Sequence, residues 1–201
     1  MRWEKGNLSR LRPGAGLRLF EGGSEGYYAQ RGIELDGDEI FVSDGAKSDV
    51  GNILNLFSQD NTVLVPDPVY PVYVDTNIMD GRKILYMNAN ADNGFLPLPD
   101  PAVKADLIYL CSPNNPTGAV YSHVQLKQWV DYANENHAVI LFDAAYEAFV
   151  GDKSCPEASL RSTAPGPAPL SFVPCQRPPG SQEPAAATLW FLLIWSPNGV
   201  S

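Results

Sequence analysis

The chain has 201 residues, of which 44% are hydrophobic, and a formal net charge of −9 at pH 7. This length and hydrophobic content suffice for one domain with a core, and the acidic balance disfavours nucleic acid, whose phosphates need a basic surface. No apolar run approaches the ~20 residues that a membrane-spanning helix needs, and the first twenty residues lack the apolar region of a secretory signal. Three cysteines without metal-ligand spacing favour a reducing compartment.

Composition divides the chain into three segments. Residues 1–26 are rich in Gly and Arg without a sustained period, which predicts an irregular segment. Residues 27–158 carry the hydrophobic patterns of strands and helices. The segment 159–201 is predicted to be a disordered, linker-like tail, because residues 161–201 hold eight of the eighteen prolines and three charged residues.

The first predicted strand, Glu39–Ser43, runs into a helix through Asp44, which can cap that helix, and Gly45. The apolar positions of the helix are spaced to form one face: Ala46, Val50, Ile53, Leu54 and Phe57. A strand–glycine–helix junction can hold a phosphate, because free N–H groups and the helix dipole favour an anion there. An ordinary capped helix is the alternative.

A second buried strand is predicted at Thr62–Val65, ended by Pro66 and Pro68. Tyr70 follows on a loop, where its ring could stack on a flat ligand or pack as a core aromatic beside Tyr73. A further strand is predicted at residues 83–87, before a loop at residues 89–101 that is rich in Asn, Asp and Pro.

Two continuous apolar runs, Leu107–Cys111 and Ala138–Phe142, are separated by one helix. This order predicts a βαβ crossover in a mainly parallel sheet and therefore the α/β class. Asn115 and Asp143 follow these strands, at the carboxyl edge where ligands bind in open α/β sheets.

The helix between these strands begins with a predicted capping box, formed by Ser122 and Gln125. Its predicted buried stripe comprises Leu126, Trp129, Val130 and Ala133. His123 and His137 stand at its two ends without neighbouring cysteines or carboxylates, so we expect surface or capping roles and no metal site.

The polar residues at the sheet edge suit a pyridine cofactor. A carboxylate in a dry site, such as Asp143, can keep a pyridine nitrogen protonated, which makes the ring an electron sink. The amide of Asn115 and the phenol of Tyr146, three residues after Asp143, can both donate to a phenolate oxygen of such a ring.

The motifs Asn115-Pro116-Thr117-Gly118 and Asp143-Ala144-Ala145-Tyr146 resemble those of the fold-type I, class I/II aminotransferases. Within that superfamily, residues 44–49, 66–75 and 111–118 are most similar to the LL-diaminopimelate aminotransferase family. The resemblance covers about residues 27–158, with four motifs in the family's order.

The resemblance implies that residues 27–158 are part of a pyridoxal phosphate-dependent large domain. The implied cofactor-binding residues are Ala46, Lys47, Tyr70, Asn115, Asp143 and Tyr146. The backbone of the first two would hold the phosphate of pyridoxal 5′-phosphate, and the ring of Tyr70 would stack on the pyridine. Lys47, Tyr70 and Asn115 would also lie near the substrate.

The resemblance further implies transfer of an amino group between an amino acid such as glutamate and a 2-oxo acid, in lysine biosynthesis. It implies a cytoplasmic homodimer, because fold-type I sites are shared between two subunits.

None of the six lysines, at positions 5, 47, 83, 104, 127 and 153, lies in a motif like that of the family's Schiff-base lysine. We therefore expect no catalytic residue within this chain and interpret it as a truncated or frame-shifted aminotransferase sequence. Another class I/II aminotransferase and a non-catalytic cofactor-binding or interaction module are the alternatives.

Overall fold

The computed structural model describes residues 40–42, 46–146, 150, 170–172 and 189–191. The strands are β1 (Ile40–Val42), β2 (Thr62–Asp67), β3 (Lys83–Asn88), β4 (Leu107–Cys111), β5 (Val139–Asp143), β6 (Leu170–Phe172) and β7 (Leu189–Phe191). The α-helices are α1 (Ala46–Asn52), α2 (Pro71–Met79) and α3 (His123–Asn136), and 3-10 turns follow at Ile53–Leu56 and Ala91–Asn93.

Five strands form one parallel sheet in the order β3-β2-β4-β5-β6. A separate two-stranded antiparallel sheet pairs β1 with β7. The central pair, β4 and β5, is joined through α3 and aligned so that Cys111 lies opposite Asp143. The predicted βαβ crossover in a parallel sheet is therefore confirmed.

The core has two layers, one on each face of the sheet, because alternate residues of a strand point to opposite faces. One layer packs α1 and α2 against the sheet and contains Val50, Leu54, Val63, Val65, Tyr73, Leu107, Tyr109, Cys111 and Leu141. The other layer packs α3 against it and contains Leu64, Ile108, Leu110, Leu126, Trp129, Val130, Ile140 and Phe142.

The predicted capping box of α3 is confirmed. The Ser122 hydroxyl accepts from the Gln125 backbone N–H, and the Gln125 side chain accepts from the Ser122 N–H at 2.9 Å. All four residues of the predicted stripe are buried, with Tyr132 beside them. His123 is exposed, and His137 caps the helix end at φ 55°. Within the described part of the chain, no group of His, Cys, Asp and Glu could hold a metal ion.

Strand β2 continues through Pro66 to Asp67, so the predicted end at Pro66 is wrong. The ladder between β2 and β4 covers only Val63 and Leu64, so β4 requires no N–H donor at Pro66. The proline is therefore tolerated inside the strand.

Helix α2 begins immediately after Tyr70, with Pro71 in its first turn, in a region where no helix was predicted. A proline fits the first turn, where the N–H has no intrahelical partner. Only Tyr73 and Asn77 of this helix are buried, so its apolar stripe is too narrow to show helical periodicity.

The apolar pattern after Asp44 predicted a helix as far as Phe57. The α-helix ends earlier, at Asn52, and a 3-10 turn follows it. Val50, Ile53 and Leu54 are buried as predicted. Asp44 and Gly45 lie outside the described residues, as does the predicted irregular segment 1–26.

Most of the predicted tail, residues 159–201, also lies outside the described residues, so its disorder stays a prediction. Two short segments of it are described as strands, β6 beside β5 and β7 beside β1. Among the helices that the structure describes, none has the length and apolarity required to span a bilayer.

Candidate active site

The carboxyl ends of β4 and β5 meet at one edge of the sheet. Cys111 ends β4 and Asp143 ends β5, directly opposite each other. The Ser112 N–H donates to the Asp143 carbonyl at 2.9 Å, which extends the pairing into the loop after β4. The two polar segments predicted to share this edge therefore start side by side.

Asp143 is a buried carboxylate with a side-chain partner from α2. It is 7% exposed, and its Oδ2 accepts from the Tyr73 hydroxyl at 2.5 Å. Its Oδ1 accepts from the Ala145 backbone N–H at 2.9 Å. Burial raises the pKa of Asp143, and the two hydrogen bonds oppose that rise by favouring the ionised form.

Tyr73 is held rigidly between two other aromatic rings. Its ring stacks on Tyr109 at a centroid distance of 4.7 Å and meets Tyr70 edge-on at 5.6 Å. Burial and the charge of Asp143 raise the pKa of Tyr73 well above its ordinary value. The phenol is therefore a neutral donor to the carboxylate at physiological pH.

The Cys111 thiol lies beside this pair and is also buried. Its thiol donates to the Pro113 carbonyl at 3.2 Å. Burial, together with the Asp143 charge, raises the pKa of Cys111 to about 12. The thiol is consequently protonated and adds no charge beside Asp143 at neutral pH.

The loop after β4 is shaped by Asn114. Its N–H donates to the Ala119 carbonyl at 2.8 Å, and its carbonyl accepts from Gly118, which has a φ of 72°. Its side-chain Nδ2 donates to the Thr117 hydroxyl at 2.9 Å and reaches the Pro68 carbonyl at 3.4 Å. These bonds tie the Asn-Pro-Thr-Gly turn to the segment after β2.

An open cavity of about 410 Å³ lies against this loop. Its lining residues are Pro113, Asn114, Asn115, Pro116, Gly118, Val120, Tyr146 and Val150. Asn115 is half-buried and Tyr146 is 44% exposed.

The structure thus brings the predicted site residues together in two groups. Asn115 and Tyr146 line the cavity, whereas Tyr70 and Asp143 are connected through Tyr73. Neither Tyr70 nor Asp143 is a lining residue of that cavity. The alternative placement of Tyr70 beside Tyr73 is also observed, since their rings are in contact.

Ala46 and Lys47 are the first two residues of α1, and Lys47 is exposed. Helix α1 packs against α2, the helix that carries Tyr73. The junction that precedes α1, residues 43–45, lies outside the described residues.

Sequence reasoning did not identify the link from Tyr73 to Asp143, or the part played by Asn114. The spacing of Tyr73 three residues after Tyr70, just past Pro71, was the available signal for Tyr73. This spacing is informative only once α2 is recognised as a helix, because α2 places Tyr73 on its face toward the sheet. For Asn114 no pattern distinguished it from the neighbouring Asn115.

Comparison with known proteins agrees with this architecture. The family model for aminotransferase class I and II matches residues 4–170. An LL-diaminopimelate aminotransferase from Methanosphaera stadtmanae is 51% identical over 149 residues, which cover 69% of this chain and 36% of that protein. The chain spans about a third of the length of such relatives.

Solved structures show the same likeness. The L,L-diaminopimelate aminotransferase from Chlamydomonas reinhardtii has a TM-score of 0.63 and 36% identity, over 74% of this chain and 40% of that one. An aromatic aminotransferase from Pyrococcus horikoshii has a TM-score of 0.69 at 24% identity, over 77% of this chain and 43% of that one, and so shows the fold alone. The parallel sheet with its flanking helices is part of the fold-type I aminotransferase large domain. The chain belongs to the aminotransferase class I and II family.

Proposed function

We propose that this chain is part of a pyridoxal 5′-phosphate-dependent aminotransferase, which transfers an amino group between an amino acid and a 2-oxo acid. The observation that carries this proposal is the buried carboxylate of Asp143 at the carboxyl edge of the sheet. Burial of a carboxylate costs free energy, and a protonated ring nitrogen that faces the carboxylate would offset this cost. Pyridoxal phosphate, when bound, supplies that protonated ring, which withdraws electrons from the carbon that exchanges the amino group.

The hydrogen-bonding capacity of Asp143 supports the fit. Each of its two oxygens accepts one described hydrogen bond, from Tyr73 and from Ala145. A carboxylate oxygen has about two acceptor positions, so each retains room for one further donor. The residue can therefore accept from a ring N–H without losing the contacts that hold it.

The remaining groups match the other parts of the cofactor. Asn115 and Tyr146 offer an amide and a phenol to the ring oxygen, and they already share one cavity. Tyr70 offers an aromatic face for stacking. Ala46 and Lys47 would hold the phosphate, an assignment that rests on their place in the family's motif order.

For the substrate we propose LL-diaminopimelate, with glutamate as the exchanging amino acid. The support is that relatives at about 50% identity carry the name LL-diaminopimelate aminotransferase. Lys47, Tyr70 and Asn115 are the proposed substrate contacts within this chain. We further propose a cytoplasmic homodimer in which each subunit completes the other's site.

The experiment that tests the proposed function is titration of the 201-residue chain with pyridoxal phosphate, followed by borohydride reduction and mapping of any modified lysine. We expect saturable binding that Asp143→Asn weakens by about tenfold, since a neutral amide can accept a hydrogen bond from a protonated ring but cannot form an ion pair with it. Asp131→Asn, an exposed carboxylate on α3, is the matched control and should leave binding unchanged. Absence of saturable binding, or equal affinity of the Asp143→Asn variant, would overturn the proposal.

Transamination is measured on the same material with LL-diaminopimelate and 2-oxoglutarate. Specific labelling of one lysine together with glutamate formation would identify a nucleophile that the motif comparison did not assign. Saturable binding without specific labelling or turnover is the result expected of a part of an aminotransferase whose six lysines do not include the Schiff-base lysine.

A further inference from the structure

We propose that Tyr73 is the positioning residue of this site: its phenol aims the Asp143 carboxylate and keeps it as the partner of the cofactor's ring nitrogen. This inference rests on the proposed function and adds to it a residue on α2. Tyr73 itself would touch neither the substrate nor the reacting atoms.

The position of the phenol is set by contacts on every part of the Tyr73 residue. The ring is completely buried and is stacked on Tyr109. The Tyr73 carbonyl accepts from the Asn77 side chain at 2.7 Å, and the same Asn77 amide reaches the Tyr109 hydroxyl at 3.2 Å. With both the backbone and the ring fixed, the hydroxyl stays 2.5 Å from Asp143 Oδ2.

The carboxylate is fixed at both oxygens as a result. Tyr73 donates to one oxygen from α2, and the Ala145 N–H donates to the other from the chain just after β5. Two donors on different elements fix the rotation of the carboxylate plane, which a single bond would leave free. The unoccupied acceptor positions then point in defined directions.

The ionised form of Asp143 also depends on Tyr73. Among the described residues, the groups that face this pair are Cys111, a neutral thiol, and the aromatic residues Tyr70 and Tyr109. Within that part of the chain, the donors to the Asp143 carboxylate are the Tyr73 hydroxyl and the Ala145 N–H, and neither carries a charge. A buried carboxylate without a neighbouring cation relies on hydrogen-bond donors to remain charged.

Tyr109 provides a matched control within the same layer. It is as buried as Tyr73 and stacks on it, but its hydroxyl is bonded to Asn77 and not to Asp143. Tyr73→Phe and Tyr109→Phe each remove one buried hydroxyl and keep the ring. A purely structural role predicts similar effects of the two substitutions on ligand binding.

The test uses two ligands that differ at the ring nitrogen. The first is 4′-deoxypyridoxine 5′-phosphate, which has no aldehyde and so binds without forming a covalent bond to lysine. The second is its 1-deaza analogue, which has carbon in place of that nitrogen. We expect Tyr73→Phe to weaken binding of the nitrogen ligand to the 201-residue chain about tenfold and that of the deaza ligand less than twofold, whereas Tyr109→Phe changes neither by more than about twofold.

A second readout follows the Asp143 carboxyl carbon by NMR as a function of pH in the ligand-free chain. Tyr73→Phe should move the titration midpoint of Asp143 to higher pH, since it removes a donor to the ionised form, and Tyr109→Phe should not. Should Tyr73→Phe fail to fold, 3-fluorotyrosine at position 73 retains the ring and strengthens the donor. It should move the midpoint to lower pH, and an unchanged midpoint would overturn the inference.

The outcomes separate the two proposals. Equal weakening of both ligands by Tyr73→Phe would reduce Tyr73 to a structural residue and overturn the inference, while the proposed function would stand. Failure of the unaltered chain to bind either ligand would overturn the proposed function, and the inference would fall with it.

Discussion

Replacement of Arg82 by Met should destabilise the fold substantially, because this buried cation binds the end of the first helical segment. Its side chain is 2% exposed. The guanidinium donates to three backbone carbonyls that follow α1: Leu54 at 2.9 Å, Phe57 at 3.0 Å and Ser58 at 3.1 Å. It also pairs with Asp80 at 2.5 Å. Arg82 therefore links the segment that begins at the proposed phosphate contacts to β3.

The magnitude follows from the burial of the three acceptors. The Leu54 bond is buried and has a charged donor, so its loss costs about 1.5–3 kcal/mol, although the Leu54 carbonyl keeps its second bond, from the Phe57 N–H at 3.1 Å. The Phe57 and Ser58 bonds are partly buried, and their carbonyls can turn to water at about 0.5 kcal/mol each. We expect a loss of about 2.5–4 kcal/mol in the free energy of unfolding.

Urea unfolding measured by circular dichroism gives this quantity directly. Lys127→Met is the matched control, since it removes the same charge from an i,i+4 pair with Asp131 in which Lys127 is 60% exposed. Exposed pairs of this kind contribute about 0.5 kcal/mol or less. A loss below about 1 kcal/mol for Arg82→Met, or a loss equal to that of Lys127→Met, would refute the reasoning.

Three further predictions concern the core, a helix cap and alkaline pH. Trp129→Ala should cost about 3–5 kcal/mol in unfolding free energy, because the side chain is completely buried and its indole donates to the Pro97 carbonyl at 3.2 Å; a cost under ~2 kcal/mol would contradict the packing. Ser122→Ala should cost about 1 kcal/mol through loss of the α3 capping box, measured against Ser58→Ala as an exposed control outside any helix. Burial raises the pKa of Tyr109 from its ordinary value of 10.0 to about 12, so the unfolded chain loses this proton first and stability present below pH 10 is lost as pH rises towards 12. Tyr109→Phe should make that decline shallower between these pH values, and an unchanged slope would contradict the shift.

The central part of the fold was predictable because its patterns are strong. Leu107–Cys111 and Ala138–Phe142 are continuous apolar runs on either side of a capped helix. Their residues are buried between two helical layers, except Ala138 and Val139, which are partly buried. The start of α3 was predictable from two polar residues alone, Ser122 and Gln125, which form its capping box. In this part of the chain, the local sequence patterns and the burial of the sheet on both faces indicate the same elements.

Helix α2 escaped prediction because its burial is narrow. Only Tyr73 and Asn77 are buried, and Ile78 and Met79 are exposed, so its hydrophobic residues do not follow its buried face. The extension of β2 through Pro66 was missed for a different reason. A proline is excluded only where a neighbour needs its N–H, and the ladder to β4 ends before that position.

For the candidate site, the sequence predicted a set of residues whose roles stay a prediction, and it predicted their arrangement incompletely. Asn115 and Tyr146 share one cavity, as their positions at the sheet edge suggested. The bond from Tyr73 to Asp143 joins residues that are 70 positions apart, and no local pattern carries such a contact. The environment of Asp143 could not be predicted from the sequence, because the neighbours that affect its charge come from α2 and β4.

The most direct test of the account is a crystal structure of this chain with pyridoxal phosphate. The account predicts the ring nitrogen within about 3 Å of an Asp143 carboxylate oxygen, with the hydrogen bond from Tyr73 retained. A cofactor ring bound elsewhere, for example in the groove of about 440 Å³ beside β3, with Asp143 contacted only by Tyr73 and Ala145, would contradict it.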